Sequence, residues 1–479
     1  MQFRLTSKLV YMLAFSLFFS PVFSLSTVSH AMTPEQFAQQ KQAGLNKPQL
    51  TLADIAPLIA HYQQHPLVAV QQLGESVQGR PIYQLTLGRG ETRMLAWSQM
   101  HGDEHTATAA LFDLLKYITD EANAGWRDSW MDNISLHLVP MLNPDGAERN
   151  TRVNAQGIDI NRDAMALQSP EGRLLMQLGK QLQPKYGFNL HDQNRFHAAG
   201  PHPNPATISL LAPAYNEARD INDSRKAAMQ LIAHVKPLID NSIPQHLGRY
   251  DDTFSPRSFG DTFASLGIST VLVEAGGHRA DDNRQVARRL NLMMCIAFID
   301  AINTGSYRQA ALADYEAIPF NRRNGMKDLI LHKVQLEVSE HPATVDIAVN
   351  LQLESHRQAS IDEIGDLSVH AAYHEYDASG LQYQAGKAYK LSKPLTLTAE
   401  AYLTLLAQGY SHFSGKAALL ENRSGFPVVL NPGRLAGNEP RLGEQASFLL
   451  VNDQGVQLAL INGQLIDVPA GKQLTPLGT

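Results

Sequence analysis

Between residues 67 and 303 the chain alternates apolar, strand-like segments with helical runs, and this alternation limits the fold more than any other feature. Strand-like stretches fall at 67–73, 82–87, 94–98, 134–139, 188–190 and 270–273. Helical spacing of apolar residues runs through 106–118, 171–182, 225–238 and 282–302. Strands separated by helices of that length predict an α/β domain: a mixed sheet with helices on both faces. Two helix starts precede it, at Thr33-Pro34-Glu35 and at Thr51, each with a capping hydroxyl. After about residue 305 the texture changes. Polar, turn-rich residues occupy 306–325, and period-2 stretches follow at 334–338, 345–353, 367–373, 448–451 and 456–461. The expected organisation is therefore an α/β domain over 32–305, a linker over 306–325 and a β-rich accessory domain over 326–479.

Residues 1–31 read as a secretory signal rather than as part of the fold. Arg4 and Lys8 precede a short apolar run, Pro21 stands near its end, and Ser29 and Ala31 make a small-x-small cleavage site. Cleavage after Ala31 implies a periplasmic or secreted protein without stable membrane insertion. It would take the net charge from −6 to −8, which gives no reason to expect nucleic acid or an anionic membrane as partner. The only cysteine, Cys295, lies in an apolar run, so no internal disulfide is possible. That composition suits a bacterial periplasm better than a disulfide-stapled module.

Ionisable residues gather where the strands end. His101 and Glu104 stand in the turn after 94–98, Asn143-Pro144-Asp145-Gly146 follows 134–139, His191 follows 188–190, and Glu274 closes 269–273. Open α/β sheets carry their ligands at the carboxyl ends of strands, and a His and a Glu three apart in such a turn suit a zinc ion. A carboxylate finishing a buried strand is costly unless it is paired, metal-bound or functional. Blander readings compete. His101-Gly102-Asp103-Glu104-His105 also fits the inverted motif His-x-x-Glu-His, with both histidines ligating from one helix, although Gly102 suits a turn better. Residues 143–146 are ordinary turn formers. His197 and His202 read as exposed loop residues, and Trp126 and Trp130 as packing residues.

Taken in order, His101-x-x-Glu104, Asn143-Pro144-Asp145-Gly146, the segment Arg152 to Arg162, His191 and Glu274 resemble the zinc carboxypeptidase family, peptidase family M14. The lead-in at 74–82 is similar too, so the resemblance covers roughly 70–300. It implies one Zn²⁺ per chain on His101, Glu104 and His191, with an open position for water. It implies Glu274 as general base, Arg152 as the cation holding the developing oxyanion, and Asn161 and Arg162 as the clamp on a substrate's free carboxylate. It further implies Asp145 as the hydrogen-bond partner of the first zinc histidine and Tyr250 as the tyrosine that closes over substrate. Asp163 and Asp192 depart from the commoner pattern. The expected activity is that of a metallocarboxypeptidase acting on peptides with a free C-terminus. Its rivals are an amidase or endopeptidase on cell-wall (murein) peptides, a deacylase of small N-acyl amino acids, and a non-catalytic protein that binds zinc or peptide ends.

Overall fold

The computed structural model describes residues 31–475 apart from 339–340, 353–357 and 436. The signal expected over 1–31 thus lies, Ala31 aside, outside the described residues. Its first unit is built on an eight-stranded mixed sheet. The strands are β1 (Ala69–Glu75), β2 (Pro81–Leu87), β3 (Thr92–Ser98), β4 (Ile134–Val139), β5 (Tyr186–Asp192), β6 (Ile208–Leu211), β7 (Leu247–Arg249) and β8 (Ser269–Ala275). Their spatial order is β1-β2-β4-β3-β5-β8-β6-β7. The central four, β4-β3-β5-β8, run parallel, so their carboxyl ends share one edge.

Helices cover both faces, because the central strands are apolar in both directions. On β3, Met94 and Ala96 face one core with the helices α1 (Thr106–Thr119) and α4 (Gln285–Thr304). Leu95 and Trp97 face the other core, with α2 (Pro170–Leu182) and Phe259 and Phe263. Trp97 is fully buried and meets Phe263 edge-on, their ring centroids 5.2 Å apart. Each such side chain contributes about 1.5–3 kcal/mol by leaving water. A third long helix, α3 (Asp223–Ser242), adds to the first core, and α1 and α4 are tied by a buried ion pair, Arg288 to Asp113 at 2.7 Å. The expected helix starts form as read. Thr33 accepts from the Gln36 amide, and Thr51 stands at the N-cap of Leu52–Gln63, its amide and hydroxyl both donating to Asp54.

Two strands escape the periodicity reading: β6 and β7 are four and three residues long, too short for an alternation to show. The segment 306–318 is also more than a linker in structure, because Tyr307, Tyr315 and Ile318 are buried in the first core. Beyond it lies a β-rich region, as expected. A nine-stranded sheet runs through β9 (Met326–Val338), β10 (His341–Gln352), β11 (Gln358–Gly365), β12 (Ala371–Asp377) and the later strands at Phe448–Asn452 and Gly455–Ile461. It buries two apolar clusters, one led by Leu329, Ile347 and Phe448, the other by Tyr402 and Phe413. A helix at Ala399–Ala407 joins the second cluster. Among the described residues no helix is long and apolar enough to cross a membrane.

Candidate metal centre

The turn after β3 is shaped by its neighbours. Gln99 adopts φ 48° and is buried, its amide donating to the carbonyls of Leu50 and Gly102. A Cβ on Gly102 would stand 1.9 Å from the backbone of Gly146, so only glycine fits there. The turn therefore presents His101 and Glu104 inward before α1 begins at Thr106. Asn143-Pro144-Asp145-Gly146 is not a β-turn but the start of a helix, Pro144–Arg149. Asn143 caps it by accepting from the Gly146 amide at 2.9 Å, and proline holds the first helical position.

His101, Glu104 and His191 converge, with one ligand atom from each lying within 4.8 Å of the others. Nδ1 of His101 is 2.7 Å from one Glu104 oxygen, Nδ1 of His191 is 2.7 Å from the other, and the two nitrogens are 3.2 Å apart. Neighbouring ligands of a tetrahedral zinc with bonds of about 2.0–2.1 Å stand roughly 3.3 Å apart, so the donor set fits that ion. Burial would lower the His101 imidazole, but Glu104 beside it and Asp159 on its far nitrogen raise it to about 9. Burial and the neighbouring cations hold the His191 ring below its ordinary value, Glu104 opposing them. Burial would raise the Glu104 carboxyl, yet the two imidazoles hold it well below its usual range. One buried carboxylate thus holds a positive charge beside it.

The far nitrogen of His101, Nε2, donates to Asp159 at 3.1 Å, which sets the tautomer that leaves Nδ1 free for a metal. This corrects the expectation placed on Asp145. That carboxylate is fully buried and accepts from Ser76 Oγ at 2.8 Å, the Gln78 amide at 2.9 Å and Arg80 at 2.6 Å. It fastens the 76–80 turn to the helix at Pro144. Asp159 lies inside the motif segment, and its place two residues before Asn161 is the available signal.

Arg152 reaches the cluster from the half-exposed rim, its Nε donating to Asp159 at 3.0 Å and its Nη1 to Glu104 at 3.3 Å. The loop that carries it is folded by Asn154, whose side chain accepts from the amides of Gln156 and Ile158. Asn161 and Arg162 sit together on a single turn, Ile160–Arg162. Asn161 accepts from the Phe259 amide and its Nδ2 lies 3.5 Å from His191 Nε2, while Arg162 donates to Ser258 Oγ at 3.1 Å.

Glu274 is the register partner of His191 on the adjacent strand. Burial, and then the charge of Glu104, push its carboxyl well above the usual range, with His101 and Arg152 opposing. Tyr250 is half-buried, and burial followed by the charges of Glu274 and Glu104 raises its phenol. Its ring meets His197 edge-on at 5.9 Å. His197 is therefore half-buried rather than exposed, and so is His202.

The two unusual aspartates are structural. Asp163 accepts from the Gln168 and Ser169 amides and from Ser169 Oγ ahead of α2, and Asp192 accepts from the Thr106 amide and hydroxyl at the start of α1. His105 turns away, its Nε2 on the Lys47 carbonyl at 3.0 Å, and α1 begins after it. The inverted motif fails on that geometry. Trp126 and Trp130 pack as expected, Trp126 donating to Asp300 and Trp130 fully buried.

Residues 58–223 match the family model for zinc carboxypeptidase. The chain is 25 % identical over 146 residues to Carboxypeptidase SOL1 of Arabidopsis thaliana, covering 28 % of this chain and 30 % of that protein. It is 31 % identical over 121 residues to a zinc carboxypeptidase of Saccharothrix mutabilis subsp. capreolus, covering 21 % and 28 %. The matches thus span about a third of the curated relatives' length. Among solved structures, a metallo-carboxypeptidase from Burkholderia cenocepacia superposes with a TM-score of 0.44 at 21 % identity, over 54 % of this chain and 70 % of that one.

Proposed function

We propose, from the match of residues 58–223 to the zinc carboxypeptidase family model, that the chain is a zinc-dependent metallocarboxypeptidase of family M14 that removes the C-terminal residue of peptides. The observation that carries this reading is the convergence of His101, Glu104 and His191 beside Glu274 at the carboxyl ends of adjacent parallel strands. These three side chains would hold one Zn²⁺, which supplies Lewis acidity and brings the pKa of a water to about 7. Asp159 keeps the proton of His101 on Nε2. Glu274 takes the proton of the attacking water and passes it to the leaving amine, a role suited to a carboxyl whose affinity for protons is already raised. Arg152 offers its guanidinium to the carbonyl oxygen as negative charge develops there.

Asn161 and Arg162 receive the terminal carboxylate, the latter by a charge-assisted fork, and Tyr250 closes over the bound end. The partner is a peptide with a free carboxyl terminus, and the signal reading places the enzyme in the periplasm or outside the cell. Incubating zinc-loaded protein with a mixed peptide library and a murein tripeptide, with products identified by mass spectrometry, tests the proposal. Loss of single C-terminal residues from the library supports it. Cleavage of the murein peptide alone would favour the cell-wall amidase instead.

A further inference from the structure

The β-rich region meets the catalytic unit just past its two most important strands. β5 ends in His191–Asp192 and β8 in Glu274–Ala275, and the segments that follow are stitched to each other. The Gln193 amide donates to the Ala275 carbonyl at 2.8 Å, and Arg284 donates to the carbonyls of both Gln193 and Ala275. From the other side, the first residues of β9 and β12 grip both segments. Met326 N donates to the Phe196 carbonyl at 3.0 Å. Asp328 accepts from Arg195 Nη2 at 2.7 Å, and Tyr373 donates its hydroxyl to the Arg195 carbonyl at 2.8 Å. Arg279, five residues past Glu274, donates to the Ala372 carbonyl at 3.1 Å. A Cβ on Gly277 would lie 2.3 Å from the Tyr373 hydroxyl, so that hydroxyl also bears directly on the chain after the base.

Arg195 is the hinge pin of this contact. Its backbone and side chain are held by different residues of the β-rich region, and its guanidinium lies over the rings of Phe196 at 5.0 Å and Tyr373 at 5.8 Å. Asp328 is almost wholly buried and also accepts from the Leu351 amide at 2.6 Å, so it is fixed before it meets Arg195. The loop fixed in this way carries His197, which packs on Tyr250. Surface decoration would not need a buried acid aimed at a loop four residues past a metal ligand.

We propose that Arg195 is a positioning residue through which the β-rich region, by Asp328 and Tyr373, holds the segments after His191 and Glu274 in the spacing that hydrolysis requires. The inference deepens the carboxypeptidase reading and rests on it.

The test uses the full chain loaded with zinc, as Asp328→Asn, Tyr373→Phe, Arg195→Met and the Asp328→Asn/Arg195→Met pair. A displacement on the order of 1 Å near reacting groups costs about 10²-fold in rate. Asp328→Asn is therefore expected to lower kcat about 10- to 100-fold, and Tyr373→Phe about 3- to 10-fold, with KM within about 2-fold. The double variant is expected to be no worse than the poorer single one, because both remove the same contact. Amide exchange over 193–199 and 276–280 is expected to quicken in each. Unchanged kcat in both Asp328→Asn and Tyr373→Phe would overturn the proposal. So would a loss that disappears on assay well below each variant's melting temperature, since that is stability alone. If the unmutated enzyme cleaves no peptide, the carboxypeptidase reading falls. Exchange then decides the clamp by itself, and unchanged rates would overturn it.

Discussion

Two aspartates compete for the role of fixing His101, and substituting each separates them. Asp159 accepts from His101 Nε2 at 3.1 Å, the Asn161 amide at 2.9 Å and Arg152 Nε at 3.0 Å, and its side chain is 22 % exposed. Asp159→Asn keeps an acceptor but loses the charge that makes the imidazole a better ligand. Partners of this kind are worth roughly 10- to 100-fold in metal affinity, or about 1.4–2.7 kcal/mol. The partly exposed site limits the loss of fold stability to about 1 kcal/mol. Asp145 is different. It is fully buried, with Arg80 at 2.6 Å and two further donors, none of them His101. Asp145→Asn leaves Arg80 facing a neutral group and is expected to cost about 3 kcal/mol of stability, the low end for a broken buried pair because Arg80 is 30 % exposed. Its metal affinity should stay within about 3-fold. Chelator competition reads the affinities and thermal unfolding the stabilities. Metal weakened by Asp145→Asn and untouched by Asp159→Asn would refute the assignment.

Glu274→Gln is expected to keep metal and fold while turnover falls about 10²–10⁴-fold in a peptide assay, because no other carboxylate at the site is assigned to move the proton. Its folded carboxyl is raised above the unfolded value, so its favourable contribution is present below about pH 4.3 and is lost as pH rises. The metal-free Gln variant should accordingly melt at or above the wild-type temperature at pH 8, and gain nothing at pH 4. His105→Ala should leave metal content unchanged by elemental analysis, since that ring is committed to the Lys47 carbonyl. Arg288→Ala should lower stability by about 3–5 kcal/mol in denaturant unfolding, because Asp113, fully buried, loses its partner.

The site was legible where chemistry forces residue types. A buried strand ending in Glu274, two histidines and a glutamate at strand ends, and a turn at Gly102 can all be read without coordinates. What the residues could not show was pairing across the chain. Asp145 and Asp159 are both aspartates in motif segments, and only the fold decides that one faces Arg80 and the other His101. The same holds for Asp163 and Asp192, which look like altered functional residues and prove to bind helix starts. Strands β6 and β7 escaped notice because they are short and gain their partners from distant strands. The grip on Arg195 lay out of reach for a similar reason, since Asp328 is 133 residues away in sequence.

The central claim is that this site acts on a free peptide carboxyl end, and one comparison tests it: hydrolysis of a single peptide as its free acid and as its C-terminal amide. A charge-assisted contact is worth about 1.5–3 kcal/mol, so the zinc-loaded enzyme should prefer the free acid by about 10- to 150-fold in kcat/KM. Arg162→Ala should remove most of that preference by weakening the acid, whereas Arg152→Ala should slow both substrates alike. Equal rates on acid and amide in the unmutated enzyme would contradict the account and leave an endo-acting amidase in its place.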